Sequence, residues 1–579
     1  MSGLYFKKPN PYYTVVITVI LELALIYFVP FSLPGFILLA LSLLMPVPYF
    51  TLVQDLLAKR SLTRPALISR HELKHILCKH KNHVYLGRGF EFTPEHGRRL
   101  HELMDEGLAH ADDGAHGSPS IHSLTLRNRK NIYQPLRDLN SHTIIFGTTG
   151  AGKTRLFDLM TSQAVLRGDT VVVLDPKGDE DLRNGLLQSC VCCDRKSDFF
   201  VFDLLDPEAG TQWDVLGSYK TASEIGDRIT SLMSGASSSA SFKAYANTAI
   251  TACVICLRIL KMKPTPAAIR NILSDVSQIS EVIAQFFRDL RINLNYAELN
   301  VYYDRISKNG KIALADLQKL YVWLIQKEYI APNADIELLF SAASMDKQYF
   351  QKVTAGALPI LNAMSAGKLH AALSSGKGLS FATVMRQRLV IYISLRTLID
   401  SSTGGNIGRL MLSDLCASAG YAYGGKKSRH RISVFIDEAS ELMCESLIQL
   451  MNKSRGAGFA LTLATQTIAD LSVRGGSKDA AVQMMGNANN LISLRVIDKE
   501  TARAVTASFP STRMVDRGSS QAYSENEGIP VNGRITRSIS SRPIELFPSE
   551  ALPLLPDFEY VARFCDGRIM KGRIPLLKD

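Results

Sequence analysis

At 579 residues the chain is longer than one ordinary domain and points to roughly three or four. An apolar fraction of 46% beside 21% charged residues supplies a large core and excludes a disordered chain. The net charge of +12 favours an anionic partner, nucleic acid or an acidic membrane face, and leaves open a merely basic soluble surface.

The first elements in chain order are two apolar segments within residues 12–53, YYTVVITVILELALIYFVPF and LPGFILLALSLLMPVPYFTLV. Each approaches the roughly 20 residues that cross a bilayer, and only Pro30 to Pro34 separates them, so a transmembrane hairpin is predicted. The first lacks a small-residue cleavage site and should be retained. Lys7 and Lys8 precede the pair, and Lys59, Arg60, Arg64 and Arg70 follow it. That flanking charge predicts a cytoplasmic N-terminus at residues 1–11 and a cytoplasmic remainder. Glu22 lies within the first span, where a carboxylate is costly and either meets a partner or is protonated and silent.

Residues 54–130 read as a juxtamembrane linker and adaptor. His71-Glu72-x-x-His75 matches the HExxH pattern of zinc metalloproteases. No third ligand stands in a suitable frame, and the surrounding lysines and histidines favour a solvated segment facing anionic lipid. His96, His101, His110, His116 and His122 are dispersed through a polar stretch. A helix is predicted from Thr93-Pro94, with proline at its first position.

Next comes HTIIFGTTGAGKTRLFDLM. Gly147, Thr148, Thr149, Gly150, Ala151, Gly152, Lys153 and Thr154 form a complete Walker A pattern between an apolar strand and a helix. The glycines let backbone N–H groups wrap the phosphates of ATP, Lys153 reaches the β and γ oxygens, and Thr154 holds Mg²⁺. The dipole of the following helix favours the same anion. A second buried strand ends in DPKGD, which puts Asp175 and Lys177 either near the nucleotide or in a structural turn.

About 200 residues of mostly helical periodicity then intervene, with SGASSSAS and KMKPTP as punctuation. They include Cys253 and Cys256, whose CxxC spacing inside an apolar run fits a buried helix face better than a metal site. The nine cysteines show no disulfide ladder and suit a reducing compartment. After the strand RLVIYISL, RISVFIDEAS supplies a Walker B. Asp437 would position Mg²⁺, and Glu438 would orient or deprotonate the attacking water. GFALTLATQ adds a strand whose Gln466 reaches the γ-phosphate or the water, and Arg455 just before it is either an arginine finger into an adjacent subunit's site or a surface residue. The strand NLISLRVID completes the sheet, and 516–542 reads as a polar surface loop.

Taken together, the membrane hairpin, GTTGAGKT, DPKGD, the helical insertion, FIDEAS, SRGAG and ATQ resemble type IV coupling proteins of bacterial conjugation. This is the TraD/TraG-like family, related to the FtsK and HerA translocases. LGRGFEFTPEH and LPDFEYVARFCDGRIMKGRIPLL look most like the TraD type of integrative conjugative elements. The resemblance implies an α/β fold: a RecA-like P-loop ATPase domain over 131–220 and 376–579, with an inserted all-α domain over 221–375. It implies a homo-hexameric inner-membrane ATP hydrolase using ATP and Mg²⁺. Such an enzyme drives single-stranded DNA with its bound relaxase from the relaxosome into a type IV secretion channel. By motif match, Lys153, Thr154, Asp437, Glu438, Gln466 and Arg455 take the roles given above. The long acidic tail that some relatives use to hold an accessory relaxosome protein is not seen before Asp579, so docking is expected elsewhere.

Two alternatives stay open: a protein-substrate receptor of a secretion system, and an FtsK-like double-stranded DNA translocase. The latter usually carries more spans and a winged-helix reader. The absence of an LSGGQ-like signature disfavours an ABC transporter.

Overall fold

The computed structural model describes residues 62, 64–111, 117–125, 129–233, 240–307, 311–374, 376, 378–423, 430–475, 477–526 and 529–578. The predicted transmembrane hairpin, the N-terminal segment and Glu22 lie outside the described residues. In chain order the strands are β1 (Leu67–Ser69), β2 (His83–Glu91), β3 (Lys130–Pro135), β4 (Thr143–Phe146), β5 (Thr170–Asp175), β6 (Phe199–Asp203), β7 (Val390–Ser394) and β8 (Ile432–Ile436). They continue with β9 (Phe459–Thr465), β10 (Asn490–Ser493), β11 (Ser511–Asn526), β12 (Ile529–Glu545), β13 (Glu559–Arg563), β14 (Ile569–Arg573) and β15 (Leu576–Lys578).

One mixed sheet organises the chain in the order β3-β2-β14-β13-β10-β4-β9-β8-β5-β7-β6. From β10 to β6 every pairing is parallel, whereas β10-β13-β14-β2-β3 is antiparallel. The parallel strands β4, β5, β7, β8 and β9 are buried along their whole length, which explains their unbroken apolar runs. β9 separates the Walker A strand from the Walker B strand. This is the arrangement of a RecA-like P-loop ATPase.

Residues 54–130, expected as a separate adaptor, are built into this sheet through β2, which pairs with β14 and β3. The partners lie far apart in sequence, so no local pattern announces them. β1 likewise pairs in parallel with β15. The predicted helix is present at Pro94–Asp105, with Thr93 at its N-cap. Within the HExxH stretch, Glu72 closes a capping box with Ser69 at the start of the helix Arg70–Lys79. The carboxylate is thus used to satisfy backbone N–H groups. From the same helix, Arg70 reaches Asp158 on the Walker A helix at 3.0 Å, both buried. Gln163 on that helix brackets the backbone of Tyr85 in β2, with both bonds at 2.8 Å. The Walker A helix, Lys153–Arg167, is therefore pinned from behind by the segment that precedes β3.

Between β6 and β7 runs the helical insertion, from Ala222–Ser231 to Phe381–Gln387. Its centre is Ala240–Ile259, which by length and composition could cross a membrane. Ala246, Ile250, Cys253, Ile255 and Cys256 on it are buried among the other insertion helices, so it serves as a core helix. Burial also raises both thiols, Cys256 to about 12. At the base of the insertion, Arg228 donates to buried Asp414 (2.9 Å), joining Ala222–Ser231 to the helix Ser401–Tyr423.

The segment 516–542 departs from the loop expected for it. It forms most of the antiparallel hairpin β11–β12, in which Asn526 pairs with Ile529. The hairpin is anchored where Ile544, Leu546 and Phe547 enter the core and Phe547 meets Phe92 at 5.3 Å between ring centroids.

Candidate nucleotide site

Four adjacent strands, β4, β9, β8 and β5, end at the same edge of the sheet, and each delivers one predicted element there. Ligands of open parallel sheets gather at this carboxyl edge. Gly147 N–H donates to Thr465 O (3.3 Å) and Thr148 N–H to Arg495 O (2.9 Å), so the cradle is suspended between the ends of β9 and β10. Gly150 and Gly152 hold φ of +81° and +111°, a region that disfavours side chains. A Cβ at Gly152 would also sit 2.9 Å from the Phe558 ring, and Phe558 N–H donates to Ala151 O (3.2 Å).

Lys153 is 6% exposed and its ammonium donates to Gly147 O at 2.6 Å, inside its own loop. Asp437 and Glu438 are 3% and 5% exposed. One oxygen of Glu438, Oε1, receives Lys177 Nζ at 2.6 Å and Gln466 Nε2 at 2.9 Å, with Lys153 Nζ at 3.6 Å. Thr149 Oγ1 donates to Gln466 Oε1 (3.4 Å), tying the cradle to β9. Glu438 itself holds φ +44°, a left-handed conformation that costs a non-glycine residue of order 1 kcal/mol or more.

Burial and the neighbouring carboxylates of Asp175 and Glu438 push Asp437 up to about 6. Burial lowers Lys153, against the pull of Glu438 and Asp437. For Glu438, burial works upward, but Lys153, Lys177 and Gln466 bring the net value down. The residues fit Mg²⁺ and a nucleotide phosphate. The cradle has no room for a Cβ at Gly152, and the crowded carboxylates leave negative charge that a divalent cation would neutralise. A recess of about 470 Å³ opens beside Thr148 and Thr149, walled by Gln466, Arg495, Ile497 and Pro553, and adjoins the cradle.

Two predicted positions need comment. Arg455 is exposed in the turn Ser454–Ala457, at the amino end of β9 and therefore at the opposite edge from the cradle. It does not join its own chain's cluster, and contact with a nucleotide would require a neighbouring copy. It lines the larger cleft, about 1430 Å³, which contains none of the cluster residues. Lys177, left undecided between site and turn, is inside the cluster. The sequence offered only its place two residues beyond a buried strand.

Just before β4, buried His142 accepts Leu461 N–H on Nδ1 (3.2 Å). Burial lowers it to about 4, with Arg455 adding to the effect. The unfolded ring takes a proton near 6.5, while the folded one resists until about 4. Its contribution is therefore complete above about 6.5 and is lost as pH falls towards 4, up to about 3 kcal/mol. Urea midpoints should fall between pH 7.5 and 5, and His142→Asn should flatten that slope.

Two family models match the chain. One, described as the type IV secretion-system coupling protein DNA-binding domain, matches residues 131–294. The other, described as the TraM recognition site of TraD and TraG, matches residues 431–557. Together they span half of the chain. Among solved structures, the chain is similar to the bacterial conjugative coupling protein TrwBdeltaN70 in its unbound monoclinic form. That match has 16% identity and a TM-score of 0.47, and covers 77% of this chain and 86% of that one. Plasmid coupling protein TrwB in complex with ADP and Mg²⁺ matches at 15% identity and TM-score 0.46, covering 77% and 87%. VirB4 of Thermoanaerobacter pseudethanolicus matches at 12% identity and TM-score 0.38, covering 80% and 97%. No curated protein sequence matches the chain.

Proposed function

The chain belongs to the TraD/TraG type of type IV coupling proteins, and from that premise we propose that it is an ATP-driven pump for single-stranded DNA in conjugation. The observation that carries this reading is the convergence of Lys153, Glu438, Gln466 and Lys177 on one buried point beside Asp437. Bound at this edge, Mg-ATP supplies the phosphoanhydride whose cleavage drives movement. Lys153 leaves Gly147 O to hold the terminal phosphates, while Thr154 and Asp437 hold the cation. Glu438 orients the attacking water and accepts its proton, and Gln466 positions the same water. Arg455 acts from an adjacent copy in a ring of six. The pump is a two-pass protein of the bacterial inner membrane, with its bulk in the cytoplasm. It receives relaxase-bound DNA from the relaxosome and passes both to the channel proteins of a type IV secretion system. Basic side chains facing the ring's pore track phosphates without reading bases.

The test is ATP turnover by the full chain in lipid nanodiscs, with single-stranded DNA, duplex DNA, a relaxase or no addition, alongside Lys153→Ala. Stimulation of several-fold by single strands, absent in Lys153→Ala, is the expected result. A response to duplex alone would instead indicate a double-strand translocase, and a response to protein alone a substrate receptor. Either overturns the pumping of single strands.

A further inference from the structure

We propose that Lys177 is a positioning residue that holds Glu438 away from its catalytic pose, so that bound nucleotide alone is turned over slowly. This rests on the reading of Glu438 as the group that orients water. Three nitrogen groups crowd one oxygen of Glu438, and two of them have other work once nucleotide arrives. Lys153 moves onto the phosphates and Gln466 onto the water. Lys177 does not: it belongs to the DPKGD turn, outside the cradle, and its 2.6 Å contact is the shortest of the three. Nucleotide binding therefore strips two contacts from Glu438 and leaves the third.

The turn that aims Lys177 is rigidly made. Asp175 Oδ1 accepts the backbone N–H of Lys177 (2.8 Å) and Gly178 (2.9 Å), and Oδ2 accepts Asp179 N–H (2.7 Å) and the Tyr392 hydroxyl (2.6 Å). Gly178 holds φ +75°, and a Cβ there would meet Ser394 Oγ at 2.5 Å. Within the turn, only the Lys177 side chain is free to move, being 41% exposed against 7% for Glu438, so the turn itself shifts as a unit. The turn also has an outside handle. Thr397 donates its N–H (2.8 Å) and hydroxyl (3.1 Å) to Pro176 O, and Arg396 Nη1 donates to Gly178 O (3.0 Å). The next two residues, Leu398 and Ile399, stand exposed at the surface. Displacing that loop shifts the turn and draws Lys177 off Glu438, which makes release of the carboxylate a step separate from nucleotide binding.

Steady-state ATP turnover of the full chain in nanodiscs tests this, comparing Lys177→Met, Lys177→Arg and Glu438→Gln with and without single-stranded DNA. Lys177→Met is expected to raise DNA-free kcat by about 3- to 10-fold with KM within about twofold, and to shrink the DNA stimulation by the same factor. Lys177→Arg, which keeps a cation beside Glu438, should leave DNA-free kcat below that of Lys177→Met. A fall in kcat or a tenfold rise in KM for Lys177→Met would make Lys177 part of the nucleotide-binding machinery and overturn the proposal, leaving the ATPase reading intact. Unchanged kinetics in Lys177→Met would overturn it equally. Full turnover by Glu438→Gln would remove the underlying role of Glu438, a failure distinct from the other two.

Discussion

Glu438→Gln is expected to reduce ATP turnover by about a hundredfold or more while nucleotide affinity stays within about threefold of wild type. The substitution is nearly isosteric, so β8, the acidic neighbour Asp437 and the cradle stay in place. What changes is the ability to take a proton from water. The amide oxygen can still accept from Lys177 and Gln466, so the local hydrogen bonds at Oε1 have a successor and the fold is preserved. Lys153→Ala should behave differently. It removes the only ammonium in the cradle's own sequence, and both affinity and turnover should collapse. Fluorescent-nucleotide titration beside steady-state turnover separates the two variants. Turnover of Glu438→Gln within threefold of wild type would contradict the assignment.

The second large effect is on stability. Lys571→Met is expected to destabilise the protein by about 3–5 kcal/mol, the usual consequence of stranding one member of a buried ion pair. Glu559 and Lys571 are 1% and 2% exposed, and Lys571 Nζ lies 2.5 Å from Glu559 Oε2. The other oxygen of Glu559 meets His122, and Arg129 stands 3.7 Å away. Burial works to raise Glu559, but Lys571, His122 and Arg129 hold it well below the usual carboxylate range. Its folded value is thus below its unfolded one, so its stabilisation is complete above about pH 4.3 and is lost as pH falls further. The double variant Glu559→Leu with Lys571→Met should not recover the loss, because it also removes the carboxylate that buried His122 and Arg129 face. Denaturant melts measure both. The single variant should also weaken nucleotide binding, since Glu559 directly follows the Phe558 that touches Ala151 and Gly152.

The parallel half of the sheet was legible because both faces of β4, β5, β7, β8 and β9 are buried, which forces continuous apolar runs. The Walker residues were legible because phosphate binding constrains eight consecutive positions. The antiparallel half was not. Glu91 of β2 pairs with Met570 of β14, and no local periodicity encodes a partner at that distance. β6 went unread for a different reason: it lies at the sheet's edge and is only partly buried. Polarity concealed β11 and β12, whose sequence lacks the apolar alternation that normally marks strands. Arg455 stands close to Gln466 in sequence, yet the whole length of β9 lies between them and carries them to opposite edges, which fits the expectation that it serves a neighbouring copy rather than its own chain. Lys177 shows the reverse, meeting Glu438 across 261 positions of chain.

The hairpin β11–β12 has a mechanical consequence. Sixteen residues of strand extend about 50 Å at roughly 3.3 Å each. Its root is clamped by Ile544, Leu546 and Phe547, with His101 Nε2 bonded to Glu545 O (2.8 Å). A lever of that length converts a rotation of about 10° at the root into a stroke of about 9 Å at the tip. Small rearrangements of the nucleotide-bearing sheet would thus be magnified into travel larger than the spacing between successive nucleotides.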